Sequence, residues 1–345
     1  MMTRFGEIQI ANSQLFSAHP NGFGVSPYLQ EKLVFPGQSE VYKQAGELAC
    51  SCLGLPTLTS QIYRLTNHCG AAIADGLALA PDLAPGQSAP SGRSAGAVVY
   101  AQADGAMLLT GEGYKEAKPG RIFAASALKE SVVEEHGGHI ESSLYVGHLG
   151  ISADFIRKFE APLELHKALG KALVFISDGS VWLRPMMATI APKAALILDM
   201  YHRTSAPALE YVGQAGKAAF GSSKVVRVWF KDQRKLLSDS CLDDVLANIK
   251  ALKIEVSVRD SVCSYLSSNR DRMDYKLYRK GGLLIGSGAI ESGHRTVMQK
   301  RIKRSGQRWG LTGGQQVINL RVCLMSNRWD LVRQQIESFN YAMGA

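Results

Sequence analysis

The sequence predicts an α/β fold: a mixed sheet, a mostly helical insertion into it, and a helical region ahead of it. Three observations carry this. Short apolar, β-rich runs separated by polar turns fill most of residues 97–202. Residues 203–282 switch to helical period. Residues 79–96, LAPDLAPGQSAPSGRSAG, are rich in Pro, Gly, Ser and Ala and mark a linker after residues 1–78.

Taken in order, residues 1–38 are mixed, with Gly and Pro in NGFGVSP and FPGQ, and read as an irregular arm. SEVYKQAGELACSCLGL and TSQIYRLTNHCGAAIAD, split by PTLT, read as two helices, the second behind Thr59 or Ser60 as a cap. Such a pair can be a DNA-reading helix–turn–helix or a plain helical hairpin packed on a core, and the hairpin is the commoner arrangement. Beyond the linker, AVVYAQADGAMLLTG (97–111) alternates around Asp104, and RIFAASALKES (121–131) and IESSLYVGHLG (140–150) are further strands. ISADFIRKFEAPLELHKALG (151–170) is helical, with Gly170 as its end. ALVFISDG (172–179) stops at Asp178-Gly179, and KAALILDMYH (193–202) is an apolar run ending at Asp199. Three strands, a helix, a strand, a short link and a strand is the order of an RNase H-like sheet. Residues 283–345 return to that core, with a Gly-punctuated turn, LLIGSGAIESGHRTVMQKRIKRSG, that enters a helix, and a helical tail.

Composition bounds the function classes. Hydrophobic residues make up 46% and charged residues 20%, which excludes a disordered chain. No apolar run reaches membrane-spanning length, and MMTRFGEIQIANSQ lacks a signal-peptide pattern, so a soluble cytoplasmic protein without a membrane partner is expected. Six cysteines without a CxxC pair support neither a disulfide framework nor a zinc ribbon. The net charge is +9, and residues 275–329 hold eleven Lys or Arg against one acid, Glu291. The rest of the chain is close to neutral, so the excess sits in one stretch. A polyanion partner and a solvated basic helix face both fit that charge run.

Three carboxylates stand out. Asp104 interrupts an apolar strand run that continues after Gly105, so its charge needs a partner. Asp178 ends an apolar run before Gly179; Asp-Gly is also an ordinary turn signal. Glu291 falls on a helical arc with Ile290, His294, Val297, Met298 and Ile302, which Arg301 shares. A pair with Arg295 would satisfy its charge but does not explain its place on the apolar arc. Two strand-borne aspartates and a helix-borne glutamate can together seat two Mg²⁺ (or Mn²⁺) ions for phosphodiester chemistry. The basic residues that follow would hold the DNA backbone: Arg295, Lys300, Arg301, Lys303, Arg304 and Arg308. LLIGSGAIE is not a dinucleotide fingerprint, because Glu291 stands at the third glycine position and the next acid is Asp330. No Lys-Ser/Thr follows Gly286, which excludes a P-loop.

ADG at Asp104, ISDG at Asp178, ILDMYH at 197–202 and IGSGAIESGHRTVMQKRIKRSGQRW at 285–309 resemble the DDE transposases of bacterial insertion sequences, in the Mutator-like branch. The resemblance spans residues 97–330 and is most specific in the last block. It implies an RNase H-like core with a helical insertion, and catalytic metal ligands at Asp104, Asp178 and Glu291. It also implies supporting roles for Asp199 and His202, as Asp-x-x-His. The implied activity is metal-dependent cleavage of insertion-sequence ends and strand transfer into target DNA. The implied partners are double-stranded element ends and target, bound by a homodimer. A nuclease without strand transfer, and an inactive transposase-derived DNA-binding protein, are the alternatives. The chain departs from relatives that carry zinc-ligand-like cysteines near the N-terminus.

Overall fold

The computed structural model describes residues 2–3, 6–7, 23, 25–54, 59–74, 98–130, 138–168, 171–180, 182–201, 207–221 and 224–341. The expected linker, 79–96, lies outside them, as does His202. The molecule is α/β, built on a mixed sheet with the strand order of an RNase H-like core.

The sheet begins with β1 (Val98–Ala103) and β2 (Ala106–Thr110), which run consecutively along one edge of β3 (Gly113–Ala124). Both pairings share one antiparallel register, Ala103 opposite Gly120 and Ala106 opposite Ala117, so β1 and β2 are one strand interrupted at Asp104-Gly105. The interruption has a local cause. Asp104 lies opposite Pro119, whose carbonyl accepts the Asp104 N–H at 3.1 Å but which has no N–H to return. β4 (Leu144–Leu149) pairs antiparallel with the opposite edge of β3, at Ala117–Ile122. After helix α4 (Ser152–Ala168), β5 (Ala172–Ser177) pairs parallel with β1. After helix α5 (Leu183–Ile190), β6 (Ala195–Leu198) pairs parallel with β5.

The expected strand at 121–131 begins earlier, at Gly113, and a short ladder, Leu128–Glu130 with Gly138–Ile140, follows it. The segment GYKEAKPG reads as loop because Lys115, Glu116, Lys118 and Pro119 break the apolar pattern. Lys118 is nevertheless buried, paired with Glu116 at 2.7 Å and donating to the Gly150 carbonyl at 2.8 Å.

Strand alternation separates the two faces of the sheet. Val99, Ala101, Ala103, Leu173 and Phe175 pack against Phe155, Phe159 and Leu163 of α4 and Leu183 and Met187 of α5. Tyr100, Val174, Ile176 and Ile197 face the insertion. That insertion comprises α6 (Pro207–Phe220), α7 (Lys224–Ser238), α8 (Leu242–Lys250), α9 (Val256–Ser268) and α10 (Tyr275–Lys280). The chain then returns through α11 (Gly288–Gly293), a π-helical turn (His294–Gln299), α12 (Leu311–Met325) and α13 (Asp330–Tyr341).

Ahead of the sheet lie α1 (Pro27–Ser39), α2 (Tyr42–Leu53) and α3 (Thr59–Ala72). The first corrects the expected irregular arm. Ser26 caps the Leu29 N–H at 3.3 Å and Pro27 opens the helix, which continues past Pro36 to Ser39. α2 and α3 form the expected helical pair. Leu33, Ile62, Leu65 and Cys69 share a core with Leu320, Cys323 and Val332 of α12 and α13. Among the described residues no helix is long and apolar enough to cross a membrane.

Candidate functional site

The parallel registers align three aspartates. Gln102 lies opposite Ile176 and Leu198 opposite Ser177. Continuing each ladder past its last pair sets Asp104 beside Asp178, and Asp178 beside Asp199, on adjacent strands about 4.8 Å apart. The Asp199 N–H donates to the Ser177 carbonyl at 2.9 Å, which extends the β5–β6 ladder in this way. By the same alternation all three follow Gln102, Ile176 and Ile197 onto the insertion face.

Each carboxylate has a local hydrogen-bonding arrangement. Asp104 accepts the Gly105 N–H at 2.7 Å. Asp178 accepts the Ser180 N–H at 2.9 Å, and the Ser180 hydroxyl donates to it at 2.8 Å. Gly179, at φ +90°, makes the turn that allows this, so the Asp-Gly turn signal and the strand-end position hold together. Asp199 is fully buried, accepts the Tyr201 N–H at 2.7 Å and is hydrogen-bonded by the Ser287 hydroxyl.

The segment that carries Glu291 is fastened across these strand ends. The Met200 N–H donates to the Ile285 carbonyl at 3.0 Å, and the Leu284 N–H donates to the Tyr100 hydroxyl at 3.1 Å. Buried Gln102 donates to the Gly286 carbonyl at 3.4 Å and accepts the Ile290 N–H at 2.8 Å. Arg121, opposite Gln102 in the ladder, donates to the Ala289 carbonyl at 2.8 Å and to the Ser143 hydroxyl at 2.9 Å. Burial pulls the Arg121 guanidinium below its ordinary pKa. Glu291 is thus half-buried in a short helix docked on the residue two positions before Asp104.

Asp104 and Asp178 are hard oxygen donors at one level of the sheet, which fits a divalent cation such as Mg²⁺. Among the described residues, however, no group of three His, Cys, Asp or Glu side chains is arranged to hold a metal ion. The fold docks the backbone just before Glu291 on Gln102, two residues ahead of Asp104, and among the described residues does not gather all three acids into one coordination shell.

The basic segment divides. Arg295, Lys300, Lys303 and Arg308 are exposed. Arg308 donates to the carbonyls of Thr110 and Gly111, both at 3.1 Å, and Arg304 pairs with Glu40 at 2.8 Å. Arg301 corrects the expectation of a phosphate contact: it is 1% exposed. Its guanidinium lies 4.9 Å from the Tyr42 ring centre and 4.8 Å from that of Trp309, and it donates to the Gly37 carbonyl. Arg321 is buried as well and donates to Gln38 at 3.0 Å and to the Thr296 carbonyl.

Sequence reasoning passed over Gln102, Arg121 and Ser287. Gln102 could have been found, because a polar residue inside AVVYAQADG raises the same question of a partner as Asp104 does. Arg121 and Ser287 carried no such signal.

No family model and no curated protein sequence matches the chain. Among solved structures it is similar to the Drosophila P element transposase strand transfer complex, with a TM-score of 0.32 and 8% identity, over 89% of this chain and 80% of that one.

Proposed function

We propose that this protein is a DNA transposase: it cleaves phosphodiesters at element ends and joins the freed 3′-OH to target DNA. The observation that carries the reading is the register that sets Asp104 beside Asp178, with the Glu291 helix pinned to Gln102 on the same face. The RNase H-like strand order and the resemblance of residues 285–309 to DDE transposases point the same way. Asp104 and Asp178 would hold divalent cations, Mg²⁺ or Mn²⁺, and Glu291 would complete their ligand set. Held there, such ions would supply activation of the attacking oxygen and neutralisation of charge on the leaving one. Asp199, held by Ser287 and by the Tyr201 N–H, keeps β6 and the Glu291 segment together and so positions the acids. His202 is assigned a supporting role on the resemblance alone. Exposed Arg295, Lys300, Lys303 and Arg308 fit the phosphate backbone of double-stranded DNA, with Arg304 beside them. A homodimer would hold two element ends together.

The test is a nicking and strand-transfer assay on end-sequence duplexes with Mg²⁺. Asp104→Asn, Asp178→Asn and Glu291→Gln should each abolish nicking and leave DNA binding intact. Robust nicking by any of the three refutes the assignment. Nicking by the wild type without joining of pre-cleaved ends means a nuclease; binding without either means an inactive DNA-binding relative.

A further inference from the structure

The cationic surface of this protein is not confined to the stretch that the sequence marks as basic. Of that stretch, Arg301 and Arg321 are buried, Arg304 pairs with Glu40, and Arg279 lies 3.9 Å from Asp239. Helix α7, in the insertion, carries Lys224, Arg227, Lys231, Arg234 and Lys235, all exposed, against a single acid, Asp232. At about 3.6 residues per turn these five basics fall within an arc of roughly 100°. Gln233 and Leu237 occupy the opposite, buried side, and Trp229 and Phe230 pack toward the insertion core. Among the described residues none of the five pairs with a carboxylate. A solubilising face mixes both signs; this one is a row of cations over about 16 Å from Lys224 to Lys235.

The row also leads to the acids. Arg234 lies over the ring of Tyr201, 5.8 Å from its centre. Tyr201 is 50% exposed, and its N–H donates to the Asp199 carboxylate at 2.7 Å. An exposed aromatic ring next to the strand-end acids, with an arginine above it and unpaired cations beyond, is the composition of a track for a nucleic-acid strand. Phosphates follow the cations and a base stacks on the ring.

The geometry points to α7 as a second DNA-binding element, which receives the strand that leaves the carboxylate site and stacks one of its bases at Tyr201. This rests on the proposed function, since the strand is taken to enter through those acids.

The experiment measures equilibrium binding of the full chain, without divalent cation, to fluorescent duplexes with and without a single-stranded tail, across a salt series. The quadruple variant K224A/R227A/K231A/K235A should bind tailed DNA more weakly and reduce the slope of log K against log salt by about 3. Exchanging Arg227 and Arg234 for Lys should keep the slope. Tyr201→Ala should weaken binding of tailed duplex selectively, and Tyr201→Phe should not. If the wild type binds DNA and the quadruple variant keeps its slope, the α7 track is wrong while the proposed function stands. If the wild type binds neither duplex, both fail.

Discussion

The side-chain oxygen of Gln102 on β1 accepts a hydrogen bond from the backbone N–H of Ile290 at 2.8 Å. One side chain thereby links the strand that ends at Asp104 to the residue before Glu291. Its amide nitrogen also reaches the Gly286 carbonyl, so a single buried amide serves both ends of the docked turn. Gln102→Met keeps volume but removes both hydrogen bonds, leaving the Ile290 N–H with only the Ser287 carbonyl, at 2.9 Å. A loss of about 1–3 kcal/mol is expected, read as a lower denaturation midpoint. Nicking should fall further than that loss of folded protein explains, because the Glu291 helix is no longer tied to the strand. A variant with wild-type nicking per folded molecule would show that Gln102 does not position the acid.

Much of this arrangement is legible in the sequence, and the parts that are not have physical causes. The apolar run around Asp104 gives a strand on both sides of it: residues 99–103 are buried on both faces of the sheet, and 106–110 bury alternate residues. The arc of Ile290, His294, Val297, Met298 and Ile302 is buried, as its period requires. Arg301 lies on the same arc and follows the arc inward; residue type alone argued for the surface, and the flanking rings of Tyr42 and Trp309, distant in sequence, decided otherwise. Helix α1 is hidden by the Gly and Pro of NGFGVSP and FPGQ, which mark loops by composition although Ser26 and Pro27 open a helix there. Register was beyond reach, because pairing Asp104 with Asp178 depends on where β5 begins its ladder with β1.

Arg301 and Lys303 stand two residues apart with opposite surroundings, the first buried and the second exposed. Arg301→Ala removes a side chain held between two rings and should cost on the order of 2–4 kcal/mol. Lys303→Ala should stay within about 0.5 kcal/mol of wild type. Its effect belongs to DNA binding instead, with a salt slope lower by about 0.9. Chemical denaturation and a binding salt series on both variants separate the roles. Equal stability of the two would contradict the buried placement.

Gly70 on α3 meets α12 backbone to backbone. A Cβ there would lie 2.3 Å from the Gln316 carbonyl oxygen, and a carbonyl inside a helix cannot swing away as a side chain can. Asn319 donates to the Gly70 carbonyl at 2.9 Å, which fixes the approach. Gly70→Ala should therefore destabilise by about 1–3 kcal/mol. Since the N-terminal helices share their core with α12 and α13, the loss should appear in one cooperative transition followed by tryptophan fluorescence. A separate early transition confined to the N-terminal helices would argue against a shared core.

His148 on β4 faces Lys158 and Asp154 of α4, at 3.4 and 3.5 Å. Burial, and then the Lys158 charge, push its pKa down to about 4. In the unfolded chain it titrates near 6.5, so between about 6.5 and 4 the unfolded state binds more protons. Stability is then fully present above that window and declines as the pH falls through it. His166, lowered to about 4 by burial and by Lys171, acts with the same sign. Asp154 is held below its ordinary value chiefly by Arg157, so its own contribution is lost only at lower pH. His148→Gln should flatten part of the decline in melting temperature between pH 7 and 4, and His148→Gln with His166→Gln should flatten more of it. If the wild-type melting temperature does not fall across that window, or if both variants track it, the imidazoles are not the source of the acid sensitivity.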